Sequence, residues 1–169
     1  MEGLFVKLKH HRRLVFVYLS ALFLSFHYFS TVYVNSSLLS TYLAPSFVSI
    51  FYIIGSVLNI VAFVFFIPLL RKFGSDRLLI SLALFELVAV SSLAFFEAPA
   101  IVLVAFILHQ ALPPLILFSL DIFLEGIPHS ESKTGGLRGI FLTITNVALI
   151  LSPLIVSATV LNNDFSGTY

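Results

Sequence analysis

Long apolar runs separated by short polar stretches make up almost the whole chain. No Lys, Arg, Asp or Glu occurs from Leu14 to Leu70, whereas one helix needs only about 20 residues to cross the hydrocarbon core of a bilayer. This stretch is long enough for two helices, with the Ser-, Thr- and Asn-rich segment Asn35–Pro45 as their connection. Along the whole chain the pattern predicts one all-α, multi-pass transmembrane helical bundle over 1–169. Its five spans are expected at about 14–34, 46–70, 78–96, 100–123 and 139–161.

Turn residues mark where these helices should end. Phe66–Ile80, FIPLLRKFGSDRLLI, is a short cationic hairpin between two apolar runs, and Gly74 is placed for the tight reversal. Glu97, Ala98 and Pro99 predict a very tight turn between the third and fourth helices. Because proline removes a backbone donor and bends a helix, kinks are predicted at Pro113, Pro114 and Pro153.

Composition narrows the class of protein. The chain is 59% hydrophobic with a mean hydropathy of +1.09, and 10% of its residues are charged, against roughly 25% in soluble domains. Because so few charged residues cannot cover a surface that faces water, the protein is expected to be surrounded by the lipid bilayer. A net charge of +1 gives no reason to expect a nucleic-acid partner. The absence of Cys excludes disulfides and thiolate chemistry.

The basic residues fall only in alternate connections between the predicted helices. Four precede the first helix, three lie between the second and third, and two lie between the fourth and fifth: Lys7, Lys9, Arg12, Arg13, Arg71, Lys72, Arg77, Lys133 and Arg138. Membrane proteins keep such residues on the cytoplasmic side. The pattern predicts an integral protein of the plasma (inner) membrane with a cytoplasmic N-terminus. Its first helix is interpreted as an uncleaved span rather than a signal peptide.

One stretch of the hairpin carries a resemblance to a known family. Ile67–Leu79, IPLLRKFGSDRLL, is similar to the loop G-x-L-x-D-R-x-G-R-R-x-x-L between the second and third helices of major facilitator superfamily (MFS) transporters. Four positions fit that pattern: Leu69, Lys72, Gly74 and Leu79. The chain departs from it where Ile67 replaces the first Gly and Arg71 the Asp, with Asp76 displaced.

A second stretch, Asp121–Pro153, resembles the join between the fourth and fifth MFS helices. There an acidic helix end precedes a polar loop and an Arg-Gly helix start, as in Asp121, Glu125, Gly136, Arg138, Gly139, Asn146 and Pro153. The chain therefore resembles the N-terminal part of an MFS transporter. The resemblance implies a half-bundle lacking its sixth helix, a fragment whose partners are the missing C-terminal helices or a second half-bundle. It also implies secondary active transport of a small-molecule solute by alternating access, coupled to H⁺ or another cation.

Six polar residues near the predicted depth of the bilayer centre are candidates for a substrate or ion pathway: His27, Asn59, Glu86, His109, Gln110 and Asn146. An ionisable group at this depth is costly unless it is paired or hydrated, so Glu86, His27 and His109 are candidate proton carriers. The alternative is that each residue forms one interhelical hydrogen bond that holds the bundle together. That structural interpretation is favoured for Asn59 and Asn146.

Charged residues at the cytoplasmic helix ends form a second candidate site. Asp121 and Glu125 are four residues apart and therefore share one helical face. Facing basic residues of the neighbouring connections, they would form a gate that holds one transport state. The predicted members of this gate are Arg71, Lys72, Asp76, Arg77, Asp121, Glu125 and Arg138. The alternative is solvated charge that only sets the orientation of the helices.

Other functions find less support in the sequence. No G-x-S-x-G, His-Glu-x-x-His or phosphate-binding Gly-rich motif occurs, so neither an enzyme nor an ATP-driven pump is predicted and no cofactor is expected. His10, His11 and His129 lack the spacing of metal ligands, and no metal site is predicted. The remaining alternative to transport is a non-transporting multi-pass scaffold or assembly partner.

Overall fold

Five α-helices make up nearly all of the described chain, and each is long and apolar enough to cross a membrane. The computed structural model describes residues 2–127, 131–160 and 168–169. Its helices are α1 (Glu2–Tyr42), α2 (Pro45–Phe73), α3 (Ser75–Phe95), α4 (Pro99–Glu125) and α5 (Glu131–Thr159), and no strand occurs among the residues it describes. The predicted all-α bundle of five spans is confirmed.

The chain reverses direction at Gly74 and just before Pro99, as the sequence predicts. Gly74 alone separates α2 from α3, and its φ of 79° is a backbone conformation that residues with a Cβ rarely adopt. Pro45 and Pro99 are the first residues of α2 and α4. Proline suits this position because the first N–H groups of a helix have no partner inside it.

The prediction that Asn35–Pro45 forms the first connection is wrong, because α1 continues as a helix to Tyr42. Hydroxyl groups in this segment donate to carbonyl oxygens about one turn earlier, Ser40 Oγ to Ser36 at 2.8 Å and Thr41 Oγ1 to Leu38 at 2.7 Å. Polar side chains bonded in this way are accommodated within a helix. The polar composition of the segment therefore does not end α1.

The predicted polar loop Glu125–Arg138 is also shorter than expected. Helix α5 already begins at Glu131, so Arg138 lies about two turns inside the helix rather than at its start. His129 falls in residues 128–130, which lie outside the described residues. At its other end α5 stops at Thr159, before the predicted limit of the fifth span.

Helix α4 lies at the centre of the bundle. It packs against α1, α2 and α3, whereas α5 packs mainly against α1. Half of the most apolar stretch of α4 is buried, against 11% for α2 and 17% for α5. The outward faces of α2 and α5 carry exposed apolar side chains such as Ile60 and Ile150, which suit contact with lipid hydrocarbon.

The closest approach of α2 to α4 depends on Gly55. A Cβ atom at this position would lie 2.8 Å from Cγ of Gln110, so only a residue without a side chain fits without a shift of Gln110. Small residues allow membrane helices to approach each other in this way. Helices α4 and α5 both remain helical past their internal prolines, Pro113, Pro114 and Pro153, and bending at these positions stays a prediction.

Candidate functional site

Three helices each bring one ionisable side chain to the middle of the bundle. His27 of α1, Glu86 of α3 and His109 of α4 meet there, and these three residues are called the central cluster below. Glu86 lies one residue from the centre of α3 and His109 three residues from the centre of α4. The side chains of His109 and Glu86 are 0% and 7% exposed, and that of His27 is 25% exposed. The cluster is therefore a buried polar site about midway along the crossing helices.

One carboxylate oxygen joins the two imidazole rings. Oε1 of Glu86 lies 2.7 Å from Nδ1 of His109 and 3.2 Å from Nε2 of His27. The two rings face each other edge to face, with their centroids 5.4 Å apart. Because the three residues come from three helices, these hydrogen bonds tie α1, α3 and α4 together at one depth.

Thr31 contacts the second ring nitrogen of His109, the one that does not face Glu86. The Thr31 hydroxyl donates to the carbonyl oxygen of Tyr28 at 2.8 Å, and its Oγ1 lies 2.8 Å from Nε2 of His109. A hydroxyl has one proton to donate, so a Thr31 hydroxyl that donates to Tyr28 accepts from Nε2–H of His109, and the direction of this bond depends on the tautomer of the ring. With Thr31 as the acceptor, the bond between Nδ1 of His109 and Oε1 of Glu86 also holds a proton, shared between an imidazole and a carboxylate.

The second oxygen of Glu86 is left without a partner. Oε2 is buried and accepts no hydrogen bond from the described residues. A buried carboxylate oxygen without a partner is costly, because it has lost water and gained nothing in exchange. The cluster therefore has unused capacity to bind a proton, a cation or a donor group.

A cavity of about 540 Å³ lies between α1, α3 and α4 beside this cluster. Glu86 lines the cavity near the middle of α3, and Asp76 lines it in the first turn of the same helix. Most of the remaining wall is apolar, including Phe16, Leu24 and Leu120. The cavity thus extends from the end of the bundle that carries the basic residues, called the basic end below, to the central cluster.

The other predicted pathway residues lie outside the central cluster. Asn59 donates from Nδ2 to the carbonyl oxygen of Ala111 at 3.0 Å, two residues before the proline pair of α4, which matches the structural role favoured for it. Gln110 is half-buried against Gly55, and its Oε1 has no partner among the described residues. Asn146 is exposed and donates to the carbonyl oxygen of Leu142 in its own helix. Asn59 and Gln110 thus lie at the contact between α2 and α4 and Asn146 on an exposed face, and a pathway through them stays a prediction.

Part of the predicted gate forms at the basic end. Nε and one terminal nitrogen of Arg138 donate to the two carboxylate oxygens of Asp121 at 3.1 and 2.6 Å, and the other terminal nitrogen lies 3.0 Å from Oε1 of Glu125. These three residues are called the arginine cluster below. The guanidinium thus bridges two acids of α4 from a position in α5, with the two-pronged geometry that arginine and carboxylate favour.

The other predicted members of the gate do not join the arginine cluster. In the described part of the chain, no ion pair links Arg71, Lys72 or Arg77 to Asp121 or Glu125. Lys72 instead places its Nζ 5.3 Å from the ring centroid of Phe73. Asp76 lies in the wall of the cavity. Of the predicted gate members, Arg138, Asp121 and Glu125 are joined by ion pairs among the described residues, and their role as a gate stays a prediction.

Sequence reasoning missed two contacts of these sites. Thr31 sits one helical turn from His27 and gave no signal of its own, because a threonine in an apolar helix usually bonds to its own backbone. Tyr169 donates to Oδ1 of the buried Asn35 at 2.6 Å, and its ring centroid lies 6.1 Å from that of His109.

The central cluster was also not recognised as a possible metal-binding group, although its ligand atoms lie within 4.8 Å of one another. Its members are 59 and 23 residues apart in sequence, so no local motif reveals it.

Comparison with known proteins adds no relative to this description. No protein-family model, curated protein or solved structure matches the chain. The resemblance to MFS transporters therefore stays a prediction from the two stretches that suggested it.

Proposed function

We propose that this chain forms part of a secondary transporter of the MFS type in the plasma (inner) membrane. In this proposal a small solute crosses by alternating access, and its movement is coupled to a proton or another cation held by the central cluster. The N-terminus and the basic end face the cytoplasm, as the distribution of Lys and Arg favours. The missing helices or a second half-bundle would complete the solute pathway.

The observation that carries the proposal is the burial of Glu86 between two histidines halfway along the spanning helices. Carboxylates and imidazoles buried at this depth are the groups that form proton relays in pumps and transporters. A purely structural crosslink needs no ionisable group, since Asn, Gln or Thr side chains hydrogen-bond across helices without one. The short contact between His109 and Oε1 of Glu86 and the unpartnered Oε2 support the proposal that this trio carries a proton.

Two further features support coupling to the cytoplasmic side. The cavity beside Glu86 extends to the basic end at Asp76, which offers protons and ions a route to the cluster. The arginine cluster joins α4 to α5 at that same end. Ion pairs at helix ends can close in one transport state and separate in the other.

The test is solute uptake by the natural gene product in proteoliposomes under an imposed pH gradient. A panel of small solutes is first screened for uptake that moves protons, with a pH-sensitive dye trapped inside. We expect Glu86→Gln and His109→Ala each to lower proton-driven uptake at least tenfold, because each removes one member of the proton-sharing pair. Insertion into the membrane should be unchanged.

Glu97→Gln is the matched control, since Glu97 is exposed in the turn between α3 and α4. It should transport like the wild type. Normal proton-driven uptake by both cluster variants would show that the central cluster carries no proton. A protein that moves none of the solutes, with or without a gradient, would favour the scaffold alternative.

A further inference from the structure

We infer that the central cluster is a binding site for a divalent transition-metal ion of the Zn²⁺ class. The inference deepens the proposed function, on which the role of the ion in transport rests, although binding itself can be measured without transport. His27 Nε2, His109 Nδ1 and a Glu86 carboxylate oxygen lie within 4.8 Å of one another. They come from three helices, and each offers one ligand atom to the space between them.

The donor set selects the class of ion. Two imidazole nitrogens and one carboxylate oxygen are the ligands of many zinc sites. They also suit the neighbouring first-row metals, whose affinities for such sites rise towards the end of the series. Calcium and magnesium need six or more oxygen ligands, and this cluster offers a single carboxylate. The chain has no Cys, so a thiolate-rich site for softer ions is excluded.

Binding of an ion would require the two imidazole rings to move. Bonds of about 2.0–2.2 Å in a tetrahedral site place neighbouring ligand atoms about 3.3 Å apart. His27 Nε2 and Glu86 Oε1 already lie 3.2 Å apart, and His109 Nδ1 would have to move away from its present 2.7 Å separation from Oε1. The ligand atoms as a set span up to 4.8 Å, so the two imidazole nitrogens would also have to approach each other by about 1.5 Å. The ion would take the place of the protons that now lie between these atoms.

Two features distinguish this group from an ordinary hydrogen-bonded trio. Oε2 of Glu86, on a side chain that is 7% exposed, is buried and has no partner among the described residues. An unpaired buried oxygen lowers the stability of a side chain that only joins helices, whereas a metal ligand needs an oxygen that is free to bind the ion. Nε2 of His109 lies 2.8 Å from Oγ1 of Thr31, a hydroxyl that can accept its proton. Histidines that bind a metal donate their second ring nitrogen to such an acceptor, which orients the ring and aims the first nitrogen at the ion.

The number of protein ligands and the cavity favour an exchangeable ion over a structural one. Structural zinc sites are closed by four protein ligands, whereas sites that exchange or activate a bound group keep an open position. The central cluster supplies three ligands. The cavity reaches Glu86 from the basic end and carries a second carboxylate, Asp76, about 15 Å away along α3. The cavity would bring an ion as far as the Glu86 side chain, and three protein ligands would leave one coordination position for water or another ligand.

The test measures metal binding by the full chain, purified without a histidine tag and stripped with chelator. His10 and His11 lack the spacing of a metal site, but the reference protein carries His10→Gln and His11→Gln so that weak binding by these two histidines adds nothing to the signal. Zn²⁺ binding is measured by titration calorimetry, and Co²⁺ is used as a coloured substitute whose visible absorption reports its ligands and geometry. We expect one ion per chain and a Co²⁺ spectrum with nitrogen and oxygen ligands.

In this background, Glu86→Gln and His27→Gln should each weaken Zn²⁺ binding at least tenfold. Thr31→Val should weaken binding by about 10- to 100-fold through the orientation of His109, whereas Thr31→Ser should restore it. A reference protein that binds no Zn²⁺, or binding that Glu86→Gln leaves unchanged, would overturn the inference. The first of these outcomes needs no cluster variant, so misfolding of a variant cannot conceal it.

The outcomes also separate this inference from the proposed function. One bound Zn²⁺ in a protein that transports no solute would support the metal site and contradict the transport proposal. Proton-driven uptake that depends on Glu86, in a protein that binds neither Zn²⁺ nor Co²⁺, would support transport and reject the metal site.

Discussion

The central cluster and the arginine cluster both join helices through acids and nitrogen bases, but they do so in opposite surroundings. In the central cluster Glu86 and His109 are nearly or fully buried, whereas Arg138, Asp121 and Glu125 keep 44%, 21% and 46% of their side chains exposed. The closest contacts are equally short, 2.7 Å in one and 2.6 Å in the other. Distance alone therefore does not rank the two clusters.

The surroundings decide how much each cluster contributes. Charges near water interact in a medium of high dielectric constant and are screened by salt, so an exposed ion pair is worth about 0–1 kcal/mol. A buried group has lost its water, and removal of its partner leaves it unsatisfied at a cost of about 3–5 kcal/mol for a charged pair. Loss of a partner should therefore cost more free energy in the central cluster than in the arginine cluster, which separates more easily. A buried ion site would need the first property, and a gate at the helix ends would need the second.

The largest effect is expected from Glu86→Leu. This change leaves His27 and His109 without their shared acceptor in the middle of the bundle and should lower the free energy of unfolding by about 3 kcal/mol. Unfolding in mixed micelles with increasing SDS measures it. Glu97→Leu, at an exposed turn, is the control and should change stability by less than about 0.5 kcal/mol. Equal effects of the two substitutions would mean that burial does not separate the clusters.

A triple variant sharpens this prediction. Replacement of His27, Glu86 and His109 together by Leu removes all three polar groups, so that none is left without a partner. Such replacements are often neutral or stabilising, and we expect the triple variant to recover much of the stability lost in Glu86→Leu. A triple variant that is less stable than the single one would indicate that the cluster is mainly a structural crosslink.

An intermediate effect is expected from Thr31→Val, which keeps the shape of the side chain but removes the hydroxyl that contacts Nε2 of His109. The cost should be about 1 kcal/mol, the value of one buried hydrogen bond, in the same unfolding measurement. Thr31→Ser should be close to wild type because it retains the hydroxyl. Thr143→Val provides a matched control, since the exposed Thr143 bonds only to its own helix at Gly139. A loss in Thr143→Val as large as that in Thr31→Val would exclude a special role for Thr31.

The smallest effect on stability is expected from Asp121→Asn, which weakens the bidentate pair with Arg138. The change should cost at most about 1 kcal/mol and should shrink as salt is raised, because the pair is exposed. Its larger consequence should be a shift between inward- and outward-facing states. Single cysteines placed at the two ends of the bundle can report this shift by their labelling rates, without background from native thiols.

Asp76→Asn distinguishes the arginine cluster from the rest of the predicted gate. Asp76 lies at the same end but is not paired with Arg138. Unchanged labelling on both faces of Asp121→Asn would reject the gate. A shift of the same size in Asp76→Asn would instead assign the effect to the charge at this end rather than to the arginine cluster.

The sequence by itself determined the class of fold and two of the places where the chain turns. In hydrocarbon each backbone N–H and C=O must find its partner within the same segment, so a long apolar run has no alternative to a helix. Gly74 and Pro99 mark two of the reversals for equally local reasons. The depth of His27, Glu86 and His109 also follows from counting residues along a helix.

Only the tertiary structure decided which polar residues meet. The spans are apolar on nearly every side, so the sequence carries little information about the rotation of each helix about its axis. Asn146 was placed by sequence beside the pathway and faces outward, whereas Thr31 was overlooked and contacts His109. The extension of α1 past Asn35 and the choice of Arg138 as partner of Asp121 depend in the same way on neighbouring helices. Helix formation in a membrane is governed by local backbone bonds, but the rotation and contacts of the helices are governed by packing between segments far apart in the chain.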